Sequence, residues 1–170
     1  MSGVAARVSL RSRERKLRLF LDLCAPGPGT TVIDVGVTDA PFGAGSTDNF
    51  FEALYPWPQQ ITAVGHTELD RFQAAFPLVR TVRADGRALP FADGEFDLGF
   101  SNAVVEHVAG GRDGQRLFIS ELCRVARRVF VTTPNRDVLD PLGPRAFASL
   151  FPYPVNVVSR GLTLVAVGPA

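Results

Sequence analysis

Short apolar runs alternate with helical segments along this chain, and several of the runs stop at an acid or a glycine. Val32-Ile33-Asp34-Val35-Gly36 is the clearest of them. A brief apolar run bounded by turn signals reads as a buried strand. Similar runs recur at residues 61–65, 79–84, 96–100 and 129–132. Helical patterns fall between them: from Ser46 or Thr47 through Leu54, over 68–76, as one turn over 103–108, and from Asp113 through Val125. This alternation predicts an open, mostly parallel α/β sheet with helices on both faces and right-handed crossovers. The tail breaks the pattern. A short helix over 144–150 precedes two apolar runs, 155–158 and 162–167, around Ser159-Arg160-Gly161. That is a hairpin, so the last strand should be antiparallel.

A chain of 170 residues with 46% hydrophobic content is expected to form one domain. Within it lie an N-terminal helix (1–27), a ligand-binding core (30–136) and a C-terminal helix with its hairpin (144–170). Leu10, Leu17, Phe20, Leu21 and Cys24 give the first helix an apolar stripe. Ser9 or Ser12 could cap it, and Pro26-Gly27-Pro28-Gly29 ends it. Arg7, Arg11, Arg13, Arg15, Lys16 and Arg18 read as its solvated face. The basic residues before Leu17 superficially resemble a signal peptide, but Arg18 and Asp22 interrupt the apolar run, which is also too short to span a bilayer. No other stretch reads as transmembrane. A net charge of +1 gives no global field for nucleic acid or an anionic membrane. Cys24 and Cys123 have no metal or redox spacing and read as reduced thiols of a cytoplasmic protein.

In such sheets, ligands bind beyond the carboxyl ends of the strands, near the point where strand order reverses. The residues there are Asp34 and Gly36 with the loop over 37–46, then Gly65-His66-Thr67-Glu68. Asp85-Gly86, Ser101 and Asn102 with Glu106 and His107, and Thr132-Thr133-Pro134-Asn135-Arg136 complete the set. An acid at the end of the first strand and another at the end of the third could read opposite ends of one nucleotide-like ligand. Thr38 stands where a dinucleotide fingerprint would place a second glycine, and no Gly-Lys-Ser/Thr follows. A cofactor without a pyrophosphate fits better.

With these segments in this order, the chain resembles the class I S-adenosylmethionine-dependent methyltransferases. The likeness is to the subgroup with an Asp-Gly-Arg-Ala-Leu-Pro-Phe third motif and a Val-x-Glu-His fourth motif. It rests on Val32-Ile33-Asp34-Val35-Gly36, on Ala84-Asp85-Gly86-Arg87-Ala88-Leu89-Pro90-Phe91, and on Phe96-Asp97. Asn102-Ala103-Val104-Val105-Glu106-His107-Val108 and Thr132-Thr133-Pro134-Asn135-Arg136 extend it. It implies a Rossmann-like fold and S-adenosylmethionine as cofactor. By the same resemblance, Asp34 and Gly36 lie against the methionine portion, Asp85 accepts a hydrogen bond from the adenine amino group beside Gly86, and Asn102 floors the methionine end.

Three features depart from the family pattern. The loop after Gly36 is long and has lost its second glycine. The usual ribose-binding acid is replaced by Gly65-His66-Thr67-Glu68, where His66, Thr67 or Glu68 could bind a hydroxyl, or Glu68 could instead favour the start of the next helix. Residues 137–143 are too few for a substrate-covering lid, which leaves an open site, a lid from a partner chain, or lost catalysis.

Methyl transfer needs alignment of nucleophile and methyl, and a base when the acceptor must lose a proton. His107 is the candidate base, since an imidazole titrates near neutral pH; a helix-packing histidine is the competing role. Asp34 and Asp85 could equally bond loop amides. Asp97 reads as pinning a strand edge. Phe42, Phe50, Phe51 and Trp57 read as core rather than as a substrate wall. Glu106 and His107 lack a third ligand, so no metal is expected. The leading expectation is a methyltransferase for a small-molecule, natural-product or sugar-derived acceptor. The alternative is a catalytically inactive methyltransferase-like scaffold. A nicotinamide oxidoreductase lacks its pyrophosphate turn. The apolar first helix and the short cap leave surface that a homodimer or a partner protein could cover.

Overall fold

The computed structural model describes residues 3–42, 48–134, 144–153, 155–160 and 163–168. The strands are β1 (Val32–Val35), β2 (Ile61–Gly65), β3 (Arg80–Arg83), β4 (Phe96–Asn102), β5 (Ala126–Pro134), β6 (Asn156–Arg160) and β7 (Thr163–Val167). They form one seven-stranded sheet in the order β3-β2-β1-β4-β5-β7-β6. β1 pairs in parallel with β2 and β4, as do β2 with β3 and β4 with β5. β7 runs antiparallel to both β5 and β6. The expected fold class is therefore the observed one. Strand order reverses between β1 and β4, which is where this architecture opens its ligand crevice.

The helices are α1 (Gly3–Cys24), α2 (Phe50–Leu54), α3 (Asp70–Ala75), α4 (Gly111–Val125) and α5 (Pro144–Ala148). α1 runs through Ser9 and Ser12 instead of being capped there. α2 starts at Phe50, after Asn49 in a left-handed conformation (φ 55°), which asparagine tolerates better than most residues. The expected starts at Ser46 and Thr47 lie outside the described residues. β4 and β5 are longer than the sequence pattern predicts: Ser101-Asn102 and Ala126 to Arg128 continue the β4–β5 ladder, and Thr133-Pro134 pair with β7. Among the described residues no helix is long and apolar enough to cross a membrane.

Two cores sandwich the sheet. One gathers Ile33, Val35, Val129 and Val131 with Phe118, Ile119, Leu122 and Val125 of α4 and Phe147 of α5. The other gathers Val32, Ile61, Ala63, Phe100 and Phe130 with Leu17, Phe20 and Cys24 of α1, Phe50 and Phe51 of α2, and Phe72 of α3. Successive strand side chains point to opposite faces, so Asp34 shares the α1–α3 face with Val32. Asn102 likewise shares a face with Leu98 and Phe100. Polar residues thus reach the carboxyl ends beneath α1 and α2 by simple alternation.

The second core is aromatic. The fully buried Phe20 ring meets Phe51, Phe100 and Phe130 edge-on, with centroids 5.2, 5.5 and 5.4 Å away. Phe51 stacks on Phe100 at 4.1 Å, and Phe100 on Phe130 at 5.7 Å. Phe50 and Phe51 are core, while Phe42 and Trp57 pack at its margin. Asp97 accepts hydrogen bonds from the Thr31 amide (3.0 Å) and hydroxyl (2.9 Å), tying the starts of β4 and β1. Truncating Phe20 would leave a cavity where α1 meets α2, β4 and β5. Phe20→Ala should lower stability by about 3–5 kcal/mol, read as the shift in a urea unfolding curve.

Candidate functional site

The first crossover turn is built on Gly36 (φ 115°). A Cβ there would lie 2.2 Å from Val104 Cγ2, so both the backbone conformation and the close approach demand glycine. The amides of Gly36 and Val37 donate to the Val64 carbonyl at 2.9 and 3.2 Å, closing β1 against β2. Ser101 Oγ donates to the Val35 carbonyl at 2.9 Å from the other side.

Beyond Val37 the loop is held by side chains in place of a second glycine. Asn49 Oδ1 accepts from the Thr38 amide (3.2 Å), and Asn49 Nδ2 donates to the carbonyls of Thr38 (2.8 Å) and Ala40. Asp39 Oδ1 accepts from the amides of Arg71 (2.7 Å) and Phe72 (3.0 Å) at the start of α3. The acid serving that helix therefore comes from the β1 loop and not from Glu68. Positions 43–46 of the expected loop, and the segment 135–143 with Asn135 and Arg136, lie outside the described residues.

Two cavities open at the switch point and share Gly36 and Val104 as a common wall. The first, about 190 Å³, is bordered by Arg13, Asp34, Asn49, Glu52 and Asn102. The second, about 280 Å³, is bordered by His66, Asp85, Gly86, Arg87, His107 and Phe118.

In the first cavity, Asp34 (6% exposed) and Glu52 (3% exposed) bring their carboxyl groups within hydrogen-bonding reach of each other. No hydrogen bond from another residue's donor among the described residues reaches either Glu52 oxygen. Burial first, and then Glu52 itself, holds the Asp34 carboxyl well above the ordinary carboxylate range; burial raises Glu52 too. Arg13 lies 4.0 Å from Asp48 on this cavity's border, and burial draws its guanidinium down.

In the second cavity, Arg87 clamps Asp85. Asp85 Oδ1 accepts from the Arg87 amide (2.9 Å) and Nε (3.0 Å), and Oδ2 accepts from Nη2 (2.7 Å). These bonds draw the Asp85 carboxyl down to about 2. Arg87 Nε also reaches Asp85 Oδ2 at 3.1 Å, so the clamp fixes the orientation of the carboxylate. Gly86 is required by packing, since a Cβ would come 2.6 Å from the Phe118 ring.

A third polar group sits where β4 and β5 end. Asn102 Oδ1 accepts from Lys16 Nζ and Thr132 Oγ1, each at 2.8 Å. Glu106 Oε2 accepts from Thr133 Oγ1 at 3.2 Å. Burial lowers the Lys16 ammonium and raises the Glu106 carboxyl, each group partly offsetting the effect on the other.

Of the predicted site residues, Asp34, Gly36 and Asn102 border the first cavity, and His66, Asp85, Gly86 and His107 border the second. Glu68 borders neither; it pairs with Arg83 at the surface. His107 opens beside Asp85, away from the Asp34 end. Arg13 and Lys16 depart from the expected solvated helix face. Each lies one turn N-terminal to a buried stripe residue, Leu17 and Phe20 respectively, so that spacing was the available signal. Glu52 had none, because one acid in a short apolar segment looks like an ordinary surface residue. Among the described residues no group of three or more His, Cys, Asp or Glu could hold a metal ion.

Residues 42–129, just over half of the chain, match a family model described as a methyltransferase domain. Comparison with curated proteins gave no match. The fold is similar to that of a SAM-dependent methyltransferase from Aquifex aeolicus, with TM-score 0.62 and 18% identity over 89% of this chain and 88% of that one. A TehB-like SAM-dependent methyltransferase from Corynebacterium glutamicum is similar with TM-score 0.59 and 17% identity over 98% of each chain. The 1,6-didemethyltoxoflavin-N1-methyltransferase of Burkholderia thailandensis, solved with 1,6-didemethyltoxoflavin and S-adenosylhomocysteine, is similar with TM-score 0.63. Its identity is 17%, over 90% of this chain and 75% of that one.

The bridge from the β1 loop to α3 gives a direct test. Asp39→Ala leaves the two α3 amides without their acceptor. It should cost about 1 kcal/mol of stability and speed hydrogen exchange at the Arg71 and Phe72 amides.

Proposed function

Since the chain belongs to the methyltransferase-domain family, we propose that it transfers a methyl group from S-adenosylmethionine to a small-molecule acceptor. The observation that carries this reading is the pair of cavities meeting at Gly36 and Val104, with a carboxyl group bordering each: Asp34 in one and Asp85 in the other. Together they reach the size of ordinary small-molecule sites, about 300–1,000 Å³. Their chemistry fits the ends of the cofactor. The methionine portion carries an ammonium and a carboxylate, which suit Asp34 and Arg13. The adenine amino group suits Asp85, whose acceptor direction Arg87 fixes, and the ring suits the apolar wall of Phe118 and Val108. His66 is left as the ribose-side polar group, since Glu68 is engaged with Arg83.

The cofactor supplies an activated methyl on a sulfonium sulfur. The work of the protein is then to align an acceptor with that methyl and to accept any proton released. Gly36 and Val104 mark the junction of the two halves, so the acceptor approaches over the ends of β4 and β5. There Asn102 is oriented by Lys16 and Thr132, and Glu106 is braced by Thr133. Burial raises the Glu106 carboxyl, which strengthens it as a proton acceptor. His107 borders the Asp85 cavity, so this reading moves it from base to neighbour of the adenosine half. The Burkholderia relative, an N1-methyltransferase solved with 1,6-didemethyltoxoflavin bound, supports an acceptor of that size class.

Titration calorimetry with S-adenosylmethionine and S-adenosylhomocysteine tests the reading. Saturable binding of both is expected, weakened at least tenfold in Asp85→Ala. A well-folded wild-type protein that binds neither would sink it.

A further inference from the structure

Asp34 and Glu52 form a buried acid pair that charge considerations do not allow to be fully ionised. Asp34 reaches this place because strand alternation turns it toward α2. Glu52 reaches it because Phe51, one residue before, is locked against Phe100. Both carboxyl groups are almost wholly buried, and no hydrogen bond from another residue's donor among the described residues reaches Glu52. Two adjacent carboxylates cannot bond to each other; one proton between them makes a hydrogen bond and halves the buried charge. The other charged groups on this cavity are Arg13 of α1 and Asp48, which face each other at 4.0 Å. The cavity that Glu52 borders on its far side, beside Phe42, Pro58 and Phe76, presents no other titratable side chain among the described residues.

We propose that Asp34 and Glu52 share a single proton, so that Glu52 is the neutral donor that orients Asp34 toward the cofactor's ammonium. Glu52 is thereby a positioning residue, and the pair presents one negative charge to one positive group. The ammonium draws that charge onto Asp34, and the proton passes to Glu52. The proton belongs to the pair as a unit until a ligand makes this choice. This inference rests on the proposed cofactor, but its proton-sharing half stands on the apo protein alone.

Three substitutions separate the alternatives. Glu52→Gln keeps a neutral donor, Glu52→Met keeps the volume without polarity, and Asp34→Asn removes the charge. Calorimetry with S-adenosylhomocysteine should find Glu52→Gln within about threefold of wild type. Glu52→Met should lose tenfold or more while melting no lower than wild type, and Asp34→Asn should lose at least as much. 5′-Methylthioadenosine, which lacks the amino-acid tail, should bind all four proteins alike. Wild-type affinity in Glu52→Met would reduce Glu52 to packing and overturn the proposal. Loss in Glu52→Gln equal to that in Asp34→Asn would make Glu52 a charge carrier and overturn it too.

Urea unfolding of the apo proteins between pH 5 and 8 supplies the second readout. Both carboxyls titrate higher in the folded state than in the unfolded chain. The folded protein therefore retains a proton that the unfolded chain has released, and wild-type stability should fall as pH rises through this window. Glu52→Gln should flatten that fall. Equal slopes in the two proteins would refute proton sharing even if cofactor binding is found. If wild type binds no cofactor, the functional reading fails, while the pH comparison still decides the state of the pair.

Discussion

The seating of Phe20 among Phe51, Phe100 and Phe130 is the contact on which the site's geometry depends. Through this ring and the Phe100 ring beside it, α1, α2, β4 and β5 meet. Fixing Phe20 fixes the roll of α1, and with it the reach of Arg13 and Lys16 toward the strand ends. Fixing Phe51 against Phe100 fixes the short α2, and with it the approach of Glu52 to Asp34. Apolar packing, part of which lines the first cavity through Phe51 and Phe100, thus sets which charged groups border it.

The charges so placed are expensive to bury and are handled in three ways. Asp85 stays exposed and is clamped by Arg87, which favours its ionised form. Lys16 and Glu106 moderate each other and lean on Asn102 and Thr133. Asp34 and Glu52 face each other, and burial pushes both upward. One cleft therefore holds carboxyl groups whose environments pull them in opposite directions, which is how a site of few residue types obtains several chemical roles.

The loop after Gly36 shows how a lost glycine can be accommodated. A glycine-rich turn closes by backbone freedom. Among the described residues 36–42 only Gly36 has that freedom, and Asn49 and Asp39 hold this stretch through side-chain hydrogen bonds to Thr38, Ala40 and the α3 amides. The fold and the strand-end residues were legible in the sequence, since alternation and apolar runs are local signals. Asn49, Asp39 and Glu52 were not, because each acts on an element distant in the chain.

By itself, the sequence determined the strand and helix order, the antiparallel last strand, and the placement of Asp34, Gly36, Asp85, Gly86 and Asn102 at strand ends. Those follow from period-two and helical patterns, which depend only on near neighbours. The tertiary structure decided the rest. It paired Glu68 with Arg83 instead of bringing it to a cavity, set His107 beside Asp85, drew Arg13 and Lys16 off a solvated face, and brought Glu52 to Asp34. Each of these depends on how one element rolls against another, and that roll is set by aromatic packing between segments far apart in the chain.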